Sequence, residues 1–392
     1  MAIVLVVIAV VCGPIRWLPR TWAVQALDAY DNQNALRWLG WSAWVGNDAG
    51  EIALGRVRAY RRLRQFDQVR AQLLRASAAG VSRQKLEREQ WLTLAQAGQM
   101  ESIESKLPAL LDDSQVDPRD VCEAYATGFL LTARPGPALN LIVPWIADYP
   151  HDNQAYYLRG KAYALGRHYT EAEQALREAR RLAPRRTEIA LALAEALLQL
   201  QQPEVALPLF EFATTDAALS DQAWLGVAQS ARRMGQADKA LTVLKELLVH
   251  APKISVAWEE LGRAQSDRQE VTDAISSLEK AVALSPNSLS AQQALGRALM
   301  ANGEQTRAQR HIEYGVQATT EMERIRLLED HCELHPNDAA SRFQIAEFYR
   351  KYDTPDLAIA WARSVLILLP EHQQARKLLD DLISATKDDS RN

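Results

Sequence analysis

The sequence predicts an all-α solenoid made of repeated helix–turn–helix units, and three series of regularly spaced residues lead to this fold class. Every series fits a period of 34 residues, which is typical of stacked two-helix units. Small residues suit positions where two helices cross closely, and prolines suit positions where a helix must end. The series comprise six alanines, four prolines and two tryptophans: Ala138, Ala172, Ala206, Ala240, Ala274 and Ala308; Pro150, Pro184, Pro252 and Pro286; Trp224 and Trp258.

The clearest unit covers residues 255–288, and both of its halves have helical spacing. Pro286 closes the unit, because proline lacks an N–H group and disfavours helix at the residue before it. The recurring residues are Trp258, Leu261 and Gly262 in the first half, then Ala274, Leu278 and Ala281 in the second.

This unit has Trp at position 4, Leu–Gly at 7–8, Ala at 20 and 27, and Pro at 32, and it resembles a tetratricopeptide repeat. The resemblance extends over nearly everything after about residue 50. It implies a right-handed superhelix in which each unit packs only on its neighbours. The whole chain is similar to bacterial tetratricopeptide scaffolds that carry an N-terminal membrane anchor.

The repeat register divides the chain into seven segments. They are an anchor or signal-type segment at 1–18, a Trp-rich degenerate first helix pair at 19–49, degenerate repeat-like units at 50–118, the regular array at 119–322, a helix extension at 323–338, a final unit with a capping helix at 339–383, and a disordered tail at 384–392.

Within these segments, the register also predicts where single units and helices begin. After Ala308 the phase slips by sixteen residues, which we interpret as one long helix over about 306–335 rather than a separate helix capped at Thr320. Degenerate units begin near Gly50 and Gln84. The regular units begin near Arg119, Asn153, Thr187, Asp221, Ser255 and Leu289.

The N-terminal segment contains an unbroken apolar run at residues 2–11. The run is shorter than the roughly 20 apolar residues of a standard membrane span, and no basic segment precedes it. It predicts a membrane anchor or signal-type segment, with a helix buried at the end of the solenoid as the alternative.

Five tryptophans follow the apolar run. They fit either the membrane interface or the interior of an atypical first helix pair: Trp17, Trp22, Trp38, Trp41 and Trp44.

One basic stretch follows the tryptophans. We expect it to be the solvated face of two helices, although anionic lipid headgroups would also attract it. Elsewhere the charge is balanced, and a net charge of −4 with a pI near 6.0 argues against nucleic acid as a partner. The basic residues of this stretch are Arg56, Arg58, Arg61, Arg62, Arg64, Arg70 and Arg75.

No catalytic, metal or cofactor signature is present in the sequence. His331 and His335 lie one helical turn apart, but Glu333 between them does not give the HExxH spacing of a zinc site. There is no phosphate-binding loop and no nucleophile elbow. The sequence therefore predicts a protein that is not an enzyme, without cofactor or small-molecule substrate.

The cysteines are too far apart in the sequence for a disulfide framework: Cys12, Cys122 and Cys332. The glycines at position 8 of the repeats suit close helix packing: Gly160, Gly262 and Gly296.

The resemblance implies that the first helices of the units line a concave groove that receives a peptide or helix of a partner. We hypothesise that Arg232, Arg263 and Arg297 receive carboxylates of an acidic segment, while Tyr157 offers an aromatic contact. The alternative is an intrahelical pair of Glu259 with Arg263 on a solvated face. The complete set of candidate groove residues is Arg263, Arg297, Arg232, Arg233, Lys161 and Tyr157.

The function predicted from these patterns is that of a membrane-associated scaffold for protein–protein interaction. The partner is a protein or peptide, and contact with the membrane is through the N-terminal segment. The alternative is an adaptor subunit of a membrane-bound enzyme or of an envelope assembly or export complex. The Lys and Asn that grip a terminal carboxylate in co-chaperone relatives are not reproduced, because Tyr157 and Lys161 stand at those positions in one unit.

Overall fold

A computed structural model describes residues 17–389, and all regular secondary structure in that part of the chain is helical. The apolar run at 2–11 lies outside the described residues, so its predicted role as an anchor stays a prediction. The chain divides into two compact units, Met1–Leu131 and Thr132–Asn392, called here the first and the second unit.

The first unit contains seven α-helices among its described residues. A short 3₁₀ segment, Glu104–Lys106, precedes the sixth. The degenerate unit expected near Gln84 therefore lacks a full second helix, since a five-residue helix stands in its place. The helices are α1 (Leu18–Asp28), α2 (Asn32–Trp44), α3 (Ala49–Arg62), α4 (Phe66–Ala78), α5 (Arg83–Gln96), α6 (Leu107–Leu111) and α7 (Pro118–Leu131).

The second unit is a succession of helix pairs. Each helix packs mainly on the helix before it and the helix after it. The helices are α8 (Pro135–Asp148), α9 (Asn153–Leu165), α10 (Tyr169–Leu182), α11 (Thr187–Gln199), α12 (Pro203–Ala213), α13 (Ser220–Arg233), α14 (Ala237–His250), α15 (Ser255–Asp267), α16 (Val271–Leu284), α17 (Leu289–Ala301), α18 (Gln305–Leu334), α19 (Ala339–Lys351), α20 (Pro355–Leu368) and α21 (Gln373–Asp389).

The small residues of the register lie at the closest helix crossings, which confirms the all-helical solenoid of two-helix units. All six register alanines are fully buried. A Cβ atom added at Gly262 would lie 2.5 Å from Leu278 Cγ and 3.0 Å from the carbonyl oxygen of Ala274. One added at Gly160 would lie 2.4 Å from Leu176 Cγ. The two helices of a pair can approach this closely only because no side chain separates them.

The repeat expected near Arg119 is divided between the two units. Its first helix, α7, packs on α5 and α6 in the first unit, whereas its second helix, α8, packs on α9 in the second. The buried acids of α7, Asp120 and Glu123, pair with arginines of α3, which explains why α7 packs within the first unit. The regular array of the second unit accordingly begins with α8 and not at residue 119.

The end of the second unit contains one long helix, α18. Its Thr320 hydroxyl donates to the carbonyl oxygen of Val316, as a hydroxyl inside a helix does, so no capping box interrupts it. Ala318, Ile325 and Cys332 recur every seven residues on its buried side and pack with α19 and α20. The tail expected to be disordered from 384 instead continues α21 to Asp389, and residues 390–392 lie outside the described part.

The tight crossing at Ala274 is open to direct test. Ala274→Leu introduces three carbon atoms where α15 and α16 touch, and overpacking of this kind costs about 1–3 kcal/mol of unfolding free energy. Thermal and urea unfolding followed by circular dichroism measures the loss. Ala283→Leu, on an exposed position of the same helix, is the matched control and should change stability little. Equal stability of the two variants would contradict the assigned packing.

Candidate partner-binding surface

The first helices of consecutive repeats in the second unit present a continuous polar surface, called here the first-helix surface. It consists of the polar side chains of α9, α11, α13, α15 and α17 that reach from one repeat to the next. Gln222 Nε2 on α13 donates to Glu195 Oε1 on α11 at 2.5 Å, and Ser290 Oγ on α17 donates to Glu259 on α15 at 2.6 Å. Together with the bond from Arg232 Nε on α13 to Glu260 Oε2 on α15 at 2.8 Å, these bonds join four successive repeats side by side.

At its N-terminal end the surface carries an aromatic ring between two cations. Lys161 Nζ lies 5.6 Å from the Tyr157 ring centroid, and the Arg186 guanidinium lies 5.5 Å from it. Arg186 also donates to Gln154 Oε1 at 2.9 Å and to Asn153. Tyr157 is half-buried, whereas Lys161 is exposed. The ring is thus held in place by its own chain, and Lys161 remains accessible.

In the middle of the surface, both predicted arginines are bonded within the protein. Arg232 Nε lies 2.8 Å from Glu260 Oε2, and its Nη1 lies 3.5 Å from Asp267 Oδ2. Burial alone would lower the pKa of Arg232, but these two carboxylates raise it above its ordinary value. Arg233 donates to the carbonyl oxygen of Leu198 at 2.6 Å, and burial lowers its pKa.

At the C-terminal end, the structure contains the intrahelical pair that was the alternative to partner binding. Arg263 Nη2 lies 2.7 Å from Glu259 Oε1, although its Nε is buried without a hydrogen-bond partner. Arg297 is exposed, and within residues 17–389 no carboxylate lies within 4.0 Å of it. Lys161, Arg233 and Arg297 are therefore the candidate cations of this surface that have no ion pair within the described part of the chain, and of these Arg233 is bonded to a backbone carbonyl.

The basic stretch of the first unit differs from the predicted solvated face. Arg64, Arg70 and Arg75 are exposed as expected, but Arg61 is fully buried. Two further arginines join it around one carboxylate. The distances to Asp120 are 2.7 Å from Arg58 Nε, 3.2 Å from Arg61 Nη2 and 3.4 Å from Arg62 Nη2.

Other acids and acceptors complete this arginine cluster. Glu123 Oε2 lies 2.6 Å from Arg62 Nη2, and Gln96 Oε1 accepts from Arg61 Nη1 at 2.9 Å. Burial would raise the pKa of Asp120, but the three arginines outweigh it and hold that pKa well below its usual range. At Glu89, by contrast, burial outweighs the nearby arginines, so the pKa of that carboxyl is raised. The cluster is a structural element of the first unit and not a free basic patch.

The two histidines at the C-terminal end of α18 make contacts within the protein. His331 Nε2 lies 3.1 Å from Asp338 Oδ2, and its ring stacks on that of His335 with centroids 4.1 Å apart. Between residues 17 and 389, no group of three potential ligands converges. Cys122 and Cys332 are buried, and burial raises the pKa of the Cys332 thiol to about 11.

The N-terminal tryptophans divide into packed and exposed rings. The Trp22 and Trp38 rings lie 4.7 Å apart, and Trp41 lies 6.1 Å from Trp38. Trp17, Trp41 and Trp44 nevertheless remain 53%, 47% and 64% exposed. Trp22 and Trp38 thus pack within the first helix pair, and a membrane-interface role for the exposed rings stays a prediction. Across the described helices, none combines the length and apolar character that crossing a bilayer requires.

Comparison with known proteins assigns the repeats. A sequence model of the tetratricopeptide repeat matches residues 138–186, 191–253, 226–288 and 259–311. The chain carries tetratricopeptide repeats. The matched segments begin at Ala138, the first alanine of the 34-residue register, and end within α18. The tetratricopeptide match and the first-helix surface therefore occupy the same part of the second unit. No curated protein matches this chain in sequence.

Several solved structures are similar to this chain at low identity. YrrB, a TPR protein with an unusual peptide-binding site, is 20% identical with a TM-score of 0.42, over 47% of this chain and 95% of its own. PilW, a widely conserved type IV pilus biogenesis factor, is 20% identical with a TM-score of 0.46, over 52% and 93%. The Cut9–Hcn1 hetero-tetramer of the APC/C is 15% identical with a TM-score of 0.43, over 92% and 82%. With identities and TM-scores this low, no functional inference is drawn from them.

The arginine cluster predicts a large loss of stability when its central acid is neutralised. Asp120→Asn leaves three buried guanidinium groups short of one negative charge, and breaking a buried pair in this way costs about 3–5 kcal/mol. Urea unfolding followed by tryptophan fluorescence measures this cost. Asp112→Asn, an exposed acid of the same unit, should change the unfolding free energy by less than about 0.5 kcal/mol.

The loss of unfolding free energy in Asp120→Asn should depend on pH. Because the folded pKa of Asp120 is depressed, its contribution to stability is present above its unfolded pKa of about 3.9 and is lost as the pH falls below that value. The difference between wild type and Asp120→Asn should therefore be largest near neutral pH and shrink below about pH 4. A difference that grows on acidification would contradict the assigned role of Asp120.

Proposed function

We propose that the second unit binds a segment of a partner protein along the first-helix surface, and that the chain is a scaffold without chemistry of its own. Tetratricopeptide arrays mediate protein–protein interaction, because stacked units create one extended surface. The observation that carries the proposal is the hydrogen-bonded continuity of this surface from α11 to α17. The polar groups along it are fixed before any partner arrives, which lowers the entropy cost of binding.

The charges of this surface favour a partner segment that is acidic at two places. Arg232 and Arg263 are neutralised by carboxylates of their own chain, so a partner would have to displace those carboxylates to use them. Arg297 and Lys161 need no such displacement. We therefore assign the first contacts with partner carboxylates to Arg297 and Lys161, with Tyr157 beside Lys161 as the aromatic contact.

Site-directed photo-crosslinking tests the surface. A photo-crosslinking residue at position 297 on α17 should give one discrete protein adduct in intact cells. The same residue at position 310, an exposed arginine on the second helix of the same repeat, is the matched control and should give none. Adducts of equal yield from both positions would place the partner elsewhere.

Charge reversal tests the chemistry of the contact. Arg297→Glu should weaken capture of the crosslinked partner by about tenfold or more, as expected for loss of a charge-assisted contact, and capture by wild type should fall as salt rises. Arg310→Glu makes the same charge change on the other helix and should leave capture intact. If both variants capture the partner as wild type does, the acidic-partner proposal is wrong, whatever the crosslink shows.

The exposed tryptophans support association with a membrane, which is the second part of the proposal. Trp17, Trp41 and Trp44 expose about half or more of their surface, and all three follow the apolar run at 2–11 in the sequence. Indole rings favour the interface between headgroups and hydrocarbon, where their apolar body and N–H group are both accommodated. An adaptor subunit of a membrane-bound enzyme or export complex would use both parts, with the membrane at one end and the partner on the repeats.

Membrane association is tested by fractionation and by vesicle binding. The full chain should sediment with membranes and resist high-salt extraction, and a chain shortened to begin at Asp48 should stay in the supernatant. Replacing Trp17, Trp41 and Trp44 together by Ser should reduce binding to phosphatidylglycerol vesicles several-fold, because each indole contributes to interfacial affinity. Trp224→Ser, on the second unit, is the control. Full-length protein that remains in the supernatant without detergent would exclude the membrane role.

A further inference from the structure

The second unit encloses a cavity of about 660 Å³ that no role described so far uses. One wall is formed by residues 133–139 and 162–169, and the other by α18, α19 and α20. Its apolar lining includes Leu139, Leu165, Leu357 and Trp361. Volumes of this order and linings of this kind are typical of sites for small molecules.

Two of the three acids that line the cavity, Glu329 and Asp330, are engaged by its own walls, whereas Glu333 has no ion pair within residues 17–389. Glu329 Oε2 lies 3.0 Å from Arg167 Nη1, and Glu329 Oε1 accepts from the Tyr349 hydroxyl at 2.6 Å. Asp330 Oδ1 lies 3.6 Å from Arg167 Nη2. These contacts join the turn after α9 to α18 and α19. They leave Glu329 without capacity to neutralise another cation of the cavity.

Arg342 lines the same cavity and is not neutralised. Only 4% of its surface is exposed, and within residues 17–389 no carboxylate lies within 4.0 Å of its guanidinium. Its Nε donates to the carbonyl oxygen of Pro336 at 3.2 Å, and its Nη1 has no hydrogen-bond partner. Burial lowers its pKa, since the charged form is poorly compensated. Cys332 and Asp338 raise that pKa in part, whereas Arg134, on the opposite wall, lowers it further.

The guanidinium of Arg342 also lies over an aromatic ring. It is 5.5 Å from the Trp361 centroid, so an arginine and an indole face the cavity together. A buried cation without a counter-charge is costly, and a carboxylate bound to it would remove that cost while forming a charge-assisted hydrogen bond. The surrounding apolar wall suits an apolar body attached to that carboxylate.

We propose that this cavity binds an apolar molecule with a single carboxylate, which would lie on Arg342 with its apolar body against Trp361 and Leu357. The sequence alone predicts no small-molecule ligand, so this site goes beyond the proposed scaffold role and does not depend on the first-helix surface. The carboxylate has two sources with the same chemistry, a free carboxylic acid and the C-terminal carboxylate of a peptide with an apolar last residue.

Calorimetric titration and thermal unfolding of the full chain test the site with defined probes. 4-Phenylbutyrate stands for a free acid, and a tetrapeptide ending in leucine with a free carboxylate stands for a chain terminus. Each is paired with its neutral amide. We expect at least one acid to bind and to raise the unfolding temperature, while its amide has at least about tenfold weaker affinity. Which acid binds identifies the source, and no difference between acids and amides would overturn the proposal.

Two arginine variants assign the effect to the cavity. Arg342→Met keeps the length and apolar stem of the side chain but removes the charge, and it should weaken acid binding by about tenfold or more. Arg180→Met is the matched control, because Arg180 also lies over an aromatic ring, 5.0 Å from Phe212, and also has an Nη1 without a hydrogen-bond partner, but lies outside the cavity lining. Acid binding to Arg342→Met at wild-type affinity would overturn the proposal.

A third variant keeps the test decisive if Arg342→Met does not fold. Leu357→Trp retains Arg342 and reduces the volume beside it, since Leu357 is a half-buried wall residue. It should lose acid binding while its circular dichroism spectrum stays that of the wild type. Retained binding in this folded variant would equally overturn the site.

Discussion

The close crossing of two helices at a residue without a bulky side chain is the constraint on which the rest of the second unit depends. A Cβ atom added at Gly262 would lie 2.5 Å from Leu278 Cγ, and the register alanines are fully buried at the corresponding crossings. Because this crossing repeats every 34 residues, each first helix is displaced from the last by a similar step. The alignment of Gln222 with Glu195, and of Ser290 with Glu259, follows from that repetition.

Two buried arginine sites show opposite solutions to the cost of removing charge from water. In the first unit, Arg61 is surrounded by acids and amides, and Asp120 is held strongly ionised. In the second unit, Arg342 has one carbonyl and one aromatic face but no acid within ion-pair distance among residues 17–389. The first arrangement supplies its arginines with carboxylates of the same unit, although Arg61 Nε is buried without a hydrogen-bond partner. The second has the incomplete chemistry that is common at binding sites.

The sequence predicted what depends on local spacing and failed where distant segments meet. The starts of α9, α11, α15 and α17 coincide with the predicted register, because proline and small residues act within one repeat. The solvated face assigned to Arg58 and Arg61 was wrong, since their acid, Asp120, lies about sixty residues later. No local sequence pattern identified Arg342 as a site residue, because the two walls of its cavity are about 200 residues apart in the chain.

The ion pair between Arg167 and Glu329 affects how cooperatively the second unit unfolds. In an open stack of repeats each unit senses only its immediate neighbours, so the ends fray independently and partly unfolded arrays are populated. Arg167 belongs to the turn that follows α9, whereas Glu329 lies on α18 and is also bonded to Tyr349 on α19. Early and late repeats are thus thermodynamically linked. Unfolding of α9 or of α18 must break this link, which favours concerted unfolding of the repeats between them over stepwise loss of single repeats.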